Sequence, residues 1–254
     1  MNLYVLKFKT LVRCCVGIIA VLTIIFLNYN STQSVFMGDS VDKLPIYSVD
    51  AKDKVCALSF DAAWGAEDTQ TLIKILKENN VKATFFVVGD WVDKYPAEVK
   101  MLHDAGHDIM NHSDTHKYMT KIDNNKFINE IKDCTEKIEN ITGKKVNLFR
   151  APYGDYNASV IKRLNSMGYY VIQWDVDSLD WKDLSANEIY QRVVNKTRPG
   201  SIILFHNAAK HTPEALPDIL KRLKNDGFEF MKINDMIYKN NYYIDNTGKQ
   251  HKAN

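Results

Sequence analysis

Two histidines four residues apart lie in a polar segment that follows a short apolar run. On a helical turn, His112 and His116 would share a face, with Cβ atoms about 5–6 Å apart. Two imidazoles at that spacing can bind one divalent cation. The pattern is also common among surface histidines, so its meaning depends on the elements that position it.

Other ionisable residues follow apolar runs in the same way. Asp61 ends the first run and could take a proton from water, because capping the next helix suits Asp68 better. Arg150 could pair with Asp61 and keep it ionised, or lie on the surface beside a Pro-Tyr-Gly turn. Asp180 could orient His206 as a carboxylate–imidazole pair.

From Lys54 onward, apolar runs and helical periodicity alternate seven times. The predicted strands are Val55–Phe60, Ala83–Val88, His107–Met110, Asn147–Phe149, Tyr169–Trp174, Ser201–Phe205 and Phe228–Met231. The predicted helices are Asp68–Asn79, Pro96–Ala105, Asn125–Ile141, Asn157–Met167, Ser185–Lys196, Pro213–Asn225 and Asn234–Lys239. Repeated strand–helix units predict an α/β domain with a parallel sheet and helices outside it.

A closed or nearly closed barrel with fewer than eight strands fits the chain of 254 residues better than two domains. In such barrels the active site lies at the C-terminal ends of the strands. The ionisable segments all follow predicted strands, so we expect them at one rim. This placement favours His112 and His116 as metal ligands over the surface alternative.

Five segments, in this order, resemble the motifs of the polysaccharide deacetylases, the NodB-homology domains of carbohydrate esterase family 4. They are SFDAAWG, HSDTH, RAPYG, DVDSLDW and LFH. The resemblance covers about residues 53–240, and DAAWG with the later HNAAKHT is similar to the sporulation-type peptidoglycan deacetylase subgroup. It implies a distorted (β/α)7 barrel that removes acetyl groups from N-acetylated sugars with a divalent metal, usually zinc.

The resemblance also implies a role for each matching residue. Asp61 matches the general base, His206 the general acid, and His112 and His116 the metal ligands. The supporting residues it implies are Arg150 tethering the base, Pro152 beside Tyr153 with its oxyanion-stabilising backbone N–H, Asp180 orienting the acid, Trp181 as a pocket wall and Leu204 lining the acetyl pocket.

One position departs from the family pattern. A second, metal-binding acid usually follows the base, and here that position is Ala62. Asp68 or Glu67 could replace it, as could Asp61 itself or water, whereas Asp114 would point away from the histidines on a helical turn. The loss bears on metal affinity and on catalysis. Three functions therefore compete: a peptidoglycan N-deacetylase, a deacetylase of another glycan such as chitin oligomers, and a non-catalytic wall-glycan binding protein.

The net positive charge of the chain comes from its N terminus. Residues 1–30 contain Lys7, Lys9 and Arg13 and no acid, so the remaining 30 basic and 31 acidic residues leave a body of net charge −1. That balance excludes a strongly basic nucleic-acid binder. The apolar run Cys14–Leu27 follows the basic residues, as in a membrane anchor or a signal peptide.

These observations predict four regions. We interpret residues 1–30 as an uncleaved membrane anchor, with a cleavable signal peptide as the alternative; either would export the rest of the chain. Residues 31–52 are predicted to be a linker and residues 53–240 the deacetylase domain. Residues 241–254 are predicted to be a frayed polar tail. The expected partners are an N-acetylated glycan and, through the N-terminal segment, the membrane.

Overall fold

The structure is a computed structural model that describes residues 44–253. The predicted anchor or signal segment, and residues 31–43 of the predicted linker, lie outside the described residues. Within the described range, no helix has both the length and the apolar character needed to cross a membrane.

Strands and helices alternate along the described chain. The strands are β1 (Ser48–Val49), β2 (Val55–Ala62), β3 (Thr84–Val87), β4 (Asp108–Asn111), β5 (Leu148–Phe149), β6 (Tyr170–Val171), β7 (Val176–Asp177), β8 (Ser201–His206), β9 (Glu229–Phe230), β10 (Tyr242–Ile244) and β11 (Lys249–Lys252). The α-helices are α1 (Thr69–Glu78), α2 (Gly89–Lys94), α3 (Pro96–Asp104), α4 (Asn124–Thr142), α5 (Ala158–Ser166), α6 (Ala186–Lys196), α7 (Thr212–Asn225) and α8 (Ile233–Met236). All seven predicted strand–helix units are present, with boundaries shifted by a few residues.

The strands form one curled sheet. Its parallel part runs in the order β8-β2-β3-β4-β5-β6, while β7 pairs with β8 and β9 pairs with β2. The prediction of an α/β domain with a parallel sheet is therefore confirmed. Register places Asp61 beside His206 on one neighbouring strand and beside Phe86 on the other. The C-terminal ends of β2, β3 and β8 thus meet at one rim.

The strands next to this rim are buried on both faces, as is typical of parallel sheets covered by helices. Every residue of β2 after Val55 is buried, and the Phe60 ring stacks on Phe85 and Phe205 at centroid distances of 4.8 and 5.5 Å. The surrounding helices bury one apolar side, as in α1 with Leu72. These contacts make the strand ends a rigid base for the loops that follow them.

Two segments predicted to be irregular belong to the sheet. In the predicted linker, Ile46 bridges to Ile172, and β1 pairs with β8 and β11. The prediction of a frayed C-terminal tail is wrong, because β10 and β11 form an antiparallel hairpin. The His251 ring nitrogens lie 3.1 Å from an Asp50 carboxylate oxygen and 2.8 Å from one of Asp245. Backbone pairing and these ion pairs fix the C-terminal segment to the sheet, although its polar composition gives it few apolar side chains to bury.

Candidate active site

A buried ion pair lies at the centre of the rim. Nη1 of Arg150 donates to Oδ1 of Asp61 at 2.7 Å. Its Nη2 donates to Oγ of Ser59 at 2.9 Å and to the carbonyl of Gln173 at 3.2 Å. The guanidinium also lies 4.2 Å from the centroid of the Phe86 ring. The predicted pairing of arginine and aspartate is therefore confirmed, and Arg150 is fully buried rather than on the surface.

The ion pair keeps Asp61 ionised. Burial alone would raise the pKa of Asp61, but the charge of Arg150, together with the nearby His112 and His206, outweighs burial and holds that pKa below its usual range. The second oxygen, Oδ2, lies 3.5 Å from Nε2 of His112. An ionised carboxylate with one oxygen left free by Arg150 is the form that a general base requires.

His112 and His116 come together in a loop rather than on the predicted helical turn. Their ring centroids are 5.1 Å apart. Ser113 and His116 have left-handed backbone conformations, with φ of 68° and 55°. Glu130, on α4, accepts hydrogen bonds from two successive backbone N–H groups of this loop at 2.9 and 2.8 Å. The two imidazoles are therefore brought together by a loop instead of a helical turn. Glu130, which is distant in sequence, stabilises that loop.

Both imidazoles are favoured in the neutral form. Burial lowers the pKa of His112, and burial together with the neighbouring His112 lowers the pKa of His116 to about 4. Nδ1 of His112 donates to the carbonyl of Arg150 at 2.8 Å, which leaves Nε2 unprotonated and directed toward Asp61. Neutral imidazoles of this kind have a lone pair available for a metal ion.

The donors fit a divalent cation in chemistry but fall short in number. Two neutral imidazoles with ring centroids 5.1 Å apart offer nitrogen donors of the kind that zinc binds. In the part of the chain that the structure describes, however, no three His, Cys, Asp or Glu side chains form a group that could hold a metal ion. The site is therefore one donor short of a three-ligand centre.

Asp68, the expected replacement for the missing carboxylate, forms no three-residue metal group with the histidines among the residues that the structure describes. Ala62 is buried where the family pattern has its second acid. Asp68 turns toward the loop after β8, where its Oδ2 accepts from the N–H of Ala208 at 2.9 Å, while its buried Oδ1 has no hydrogen-bond partner. Its role as the third metal ligand stays a prediction. Asp114 also faces away, with Oδ1 2.7 Å from Nζ of Lys137.

A carboxylate–imidazole pair lies next to the Arg150–Asp61 ion pair. It joins Asp180 to His206 at the end of β8. Nδ1 of His206 lies 2.8 Å from Oδ1 of Asp180, and Oδ2 of Asp180 accepts from the His206 N–H at 2.8 Å and from Oγ1 of Thr212 at 2.7 Å. The predicted pairing is confirmed. Burial alone would lower the pKa of His206, but the hydrogen bond and charge of Asp180, with the charge of Asp61, raise it. The imidazolium is the form that a general acid requires.

The remaining predicted site residues lie on neighbouring segments. Pro152 is buried and begins a short 3₁₀ turn, in which the exposed Tyr153 has a φ of 60°. Trp181 is half exposed on a second such turn, directly after Asp180, which excludes a place in the core. Leu204 is buried in β8, two residues before His206. Their roles toward a substrate stay predictions.

Asn207 is a residue to which the sequence assigned no role. Its Nδ2 donates to the carbonyls of Trp64 and Gly65 at 2.5 and 2.6 Å, and its Oδ1 accepts from the Ala63 N–H at 3.3 Å. These bonds hold the loop after β2 so that the Trp64 ring stacks on His206, with centroids 5.8 Å apart and planes 17° from parallel. The available signal was its position directly after His206.

Breaking the buried ion pair tests its contribution to stability. We expect Arg150→Gln to lower the free energy of unfolding at pH 7 by about 3–5 kcal/mol, because a buried carboxylate loses its counter-charge. The loss should shrink as the pH falls below the normal carboxylate range. Asp61 has a lowered pKa, so its stabilisation is present above the unfolded-state pKa and disappears as Asp61 becomes protonated. Urea denaturation at several pH values measures this.

A double-mutant cycle provides the control. Asp61→Asn combined with Arg150→Gln should cost about 2 kcal/mol less than the sum of the two single changes, since neither charge is then left unpaired. Strict additivity of the two losses would show that the residues act independently and would contradict the coupling inferred from the 2.7 Å contact.

Comparison with known proteins places this site in a family. Residues 48–172 match the family model described as polysaccharide deacetylase. The chain is 33% identical over 185 residues to a peptidoglycan-N-acetylglucosamine deacetylase of Bacillus cereus, covering 71% of this chain and 67% of that protein. It is 32% identical over 197 residues to the peptidoglycan-N-acetylmuramic acid deacetylase PdaA of Bacillus subtilis, covering 76% of this chain and 75% of that protein.

Solved structures agree in fold. A structure of PdaA from Bacillus subtilis superposes with a TM-score of 0.72 at 31% identity, covering 76% of this chain and 84% of that one. BA3943 of Bacillus anthracis, described as a CE4 family pseudoenzyme, superposes with a TM-score of 0.74 at 31% identity, covering 83% of this chain and 73% of that one. The chain belongs to the polysaccharide deacetylase family.

Proposed function

We propose that this protein is a metal-dependent hydrolase that removes N-acetyl groups from cell-wall peptidoglycan. The observation that carries the proposal is the pairing of two opposite functions at one rim. Asp61 is ionised by Arg150, and on the adjacent strand His206 is favoured in its protonated form by Asp180. Binding a glycan requires neither a base nor an acid, whereas amide hydrolysis requires both.

The proposed reaction uses each group once. Asp61 takes a proton from the attacking water while the water oxygen bonds to the acetyl carbonyl carbon. The backbone N–H of Tyr153 stabilises the oxyanion, a contact worth about 3–4 kcal/mol in comparable sites. His206 gives its proton to the departing nitrogen as the C–N bond breaks, which yields acetate and a free amine. Trp181 and Leu204 border the acetyl group.

His112 and His116 are the residues that would hold the metal, and we propose zinc because neutral imidazoles suit it. When bound, such a cation supplies a Lewis acid that polarises the amide carbonyl. The curled sheet is proposed to be the distorted (β/α)7 barrel that the family resemblance implies. The similarity of DAAWG to the sporulation-type subgroup supports peptidoglycan over chitin oligomers as the substrate.

A non-catalytic wall-glycan binding protein is the second candidate. Ala62 removes a carboxylate from the metal site, and a structural relative is described as a pseudoenzyme. Acetate release by the purified full-length chain with zinc, from peptidoglycan and from chitin oligomers, separates the two candidates. We expect release from peptidoglycan, and a loss of about 100-fold or more in Asp61→Asn and in His206→Gln, because each removes a proton-transfer group.

His103→Gln is the matched control, since His103 lies on α3 outside the site. It should retain full activity. If the unaltered chain with zinc released no acetate from either substrate, the deacetylase would be rejected in favour of the binding protein. Release from chitin oligomers alone would instead point to another glycan as the substrate.

The metal proposal predicts the effect of restoring the acid. Ala62→Asp should tighten zinc binding by about tenfold or more, because it adds the carboxylate that the two imidazoles lack. Isothermal titration calorimetry on the full chain measures the affinity. Ala63→Asp, one residue further on, is the control and should leave it unchanged. Equal affinities for Ala62→Asp and the unaltered chain would show that position 62 does not face the metal.

We also propose that residues 1–30 anchor the domain on the outer side of the membrane. The support is the basic start followed by the apolar run Cys14–Leu27. We expect the protein isolated from the membrane fraction of its native cell to keep residues 1–30, which N-terminal sequencing measures. A soluble extracellular form that starts near residue 30 would identify a cleaved signal peptide instead.

A further inference from the structure

Exposed aromatic side chains are concentrated at the rim of the proposed active site. Five large hydrophobic side chains in the described part of the chain are strongly exposed: Trp64 (45%), Tyr118 (49%), Tyr153 (58%), Trp181 (54%) and Tyr243 (44%). The first four lie on segments that follow the C-terminal ends of β2, β4, β5 and β7, and the fifth lies in the C-terminal hairpin. Exposed aromatic groups that cluster in this way mark a binding surface.

Tyr118 and Tyr153 form a stacked pair of rings beside His116. Their rings are stacked, with centroids 4.1 Å apart and planes 14° from parallel. The Tyr153 ring also meets the His116 ring edge-on, with centroids 4.5 Å apart. Tyr118 therefore stands one ring further from the histidine pair than Tyr153 does.

The stacked pair is preformed by a cross-link between its two loops. Asp155, two residues after Tyr153, accepts from the N–H of Thr120 at 2.8 Å and from its Oγ1 at 2.9 Å. Thr120 is itself two residues after Tyr118. Because the carboxylate fixes one loop against the other, the rings are held in place before any ligand arrives, which reduces the entropic cost of binding.

The chemistry of this surface matches a sugar ring. A pyranose has an apolar C–H face and polar edges, so it can stack on an aromatic ring while its hydroxyl groups stay in water. The body of the chain has a net charge of −1, which argues against a nucleic-acid strand as the stacked ligand. A glycan strand in the cleft offers such rings on both sides of the sugar that reacts.

We propose that the Tyr118–Tyr153 pair binds a sugar of the glycan strand beyond the one being deacetylated, so that the site selects oligomers over single sugars. This inference rests on the proposed function for the identity of the reacting sugar. Trp64, stacked on His206, covers the other catalytic imidazole. The cleft thus has an aromatic wall next to each of the two histidine centres, and Tyr118 extends one of them.

Sugar binding to the full-length chain tests the pair without requiring turnover. In an Asp61→Asn background, NMR titration would compare a five-sugar N-acetylglucosamine oligomer with the single sugar. We expect Tyr118→Ala to weaken pentamer binding by about tenfold and monomer binding by less than about twofold, because only the longer ligand reaches the second ring. Tyr118→Phe keeps the ring and should keep the affinity.

Tyr243→Ala is the matched control, since Tyr243 is similarly exposed but lies in the C-terminal hairpin, stacked on His251. It should bind the pentamer like the unaltered chain. Equal pentamer affinity in Tyr118→Ala and the unaltered chain would overturn the proposal, as would a chain that binds the pentamer no more tightly than the single sugar. Failure of the unaltered chain to release acetate would count against the proposed reaction alone, because these titrations involve no turnover.

Discussion

The buried guanidinium of Arg150 is the interaction on which the rest of the site depends. It binds Asp61 at the end of β2, Ser59 within that strand and the carbonyl of Gln173 after β6. The backbone of Arg150 contributes as well. Its carbonyl accepts the Nδ1–H of His112, and its backbone N–H donates to the carbonyl of Asn111 at 3.0 Å. One residue therefore sets the charge of Asp61, the tautomer of His112 and the spacing of several strand ends.

The two groups proposed to transfer protons are organised by the same principle with opposite sign. Burial disfavours charge on both Asp61 and His206, and in each case a fully or nearly buried partner of opposite charge, Arg150 or Asp180, reverses that preference. A carboxylate and an imidazolium can then lie on adjacent strands at the same level of the sheet. Their separate partners prevent them from simply neutralising each other.

The proposed metal side of the site is less complete than the proposed proton-transfer side. Two neutral imidazoles are directed at the cleft, but Ala62 provides no carboxylate and Asp68 is bound to the next loop. Family members of similar sequence identity to this chain, 31–33%, include two named deacetylases and one protein described as a pseudoenzyme.

The sequence by itself determined the seven strand–helix units, because apolar periodicity is a local signal. It indicated Asp61–Arg150 and Asp180–His206 only as candidate pairs, from the residue types that follow the strands, and the fold brought the partners together. Only the tertiary structure decided how the loops are built. The turn that joins His112 and His116 relies on left-handed residues and on Glu130, and the C-terminal hairpin relies on backbone pairing with β1. These features depend on partners far away in the chain, and no local pattern of side chains encodes them.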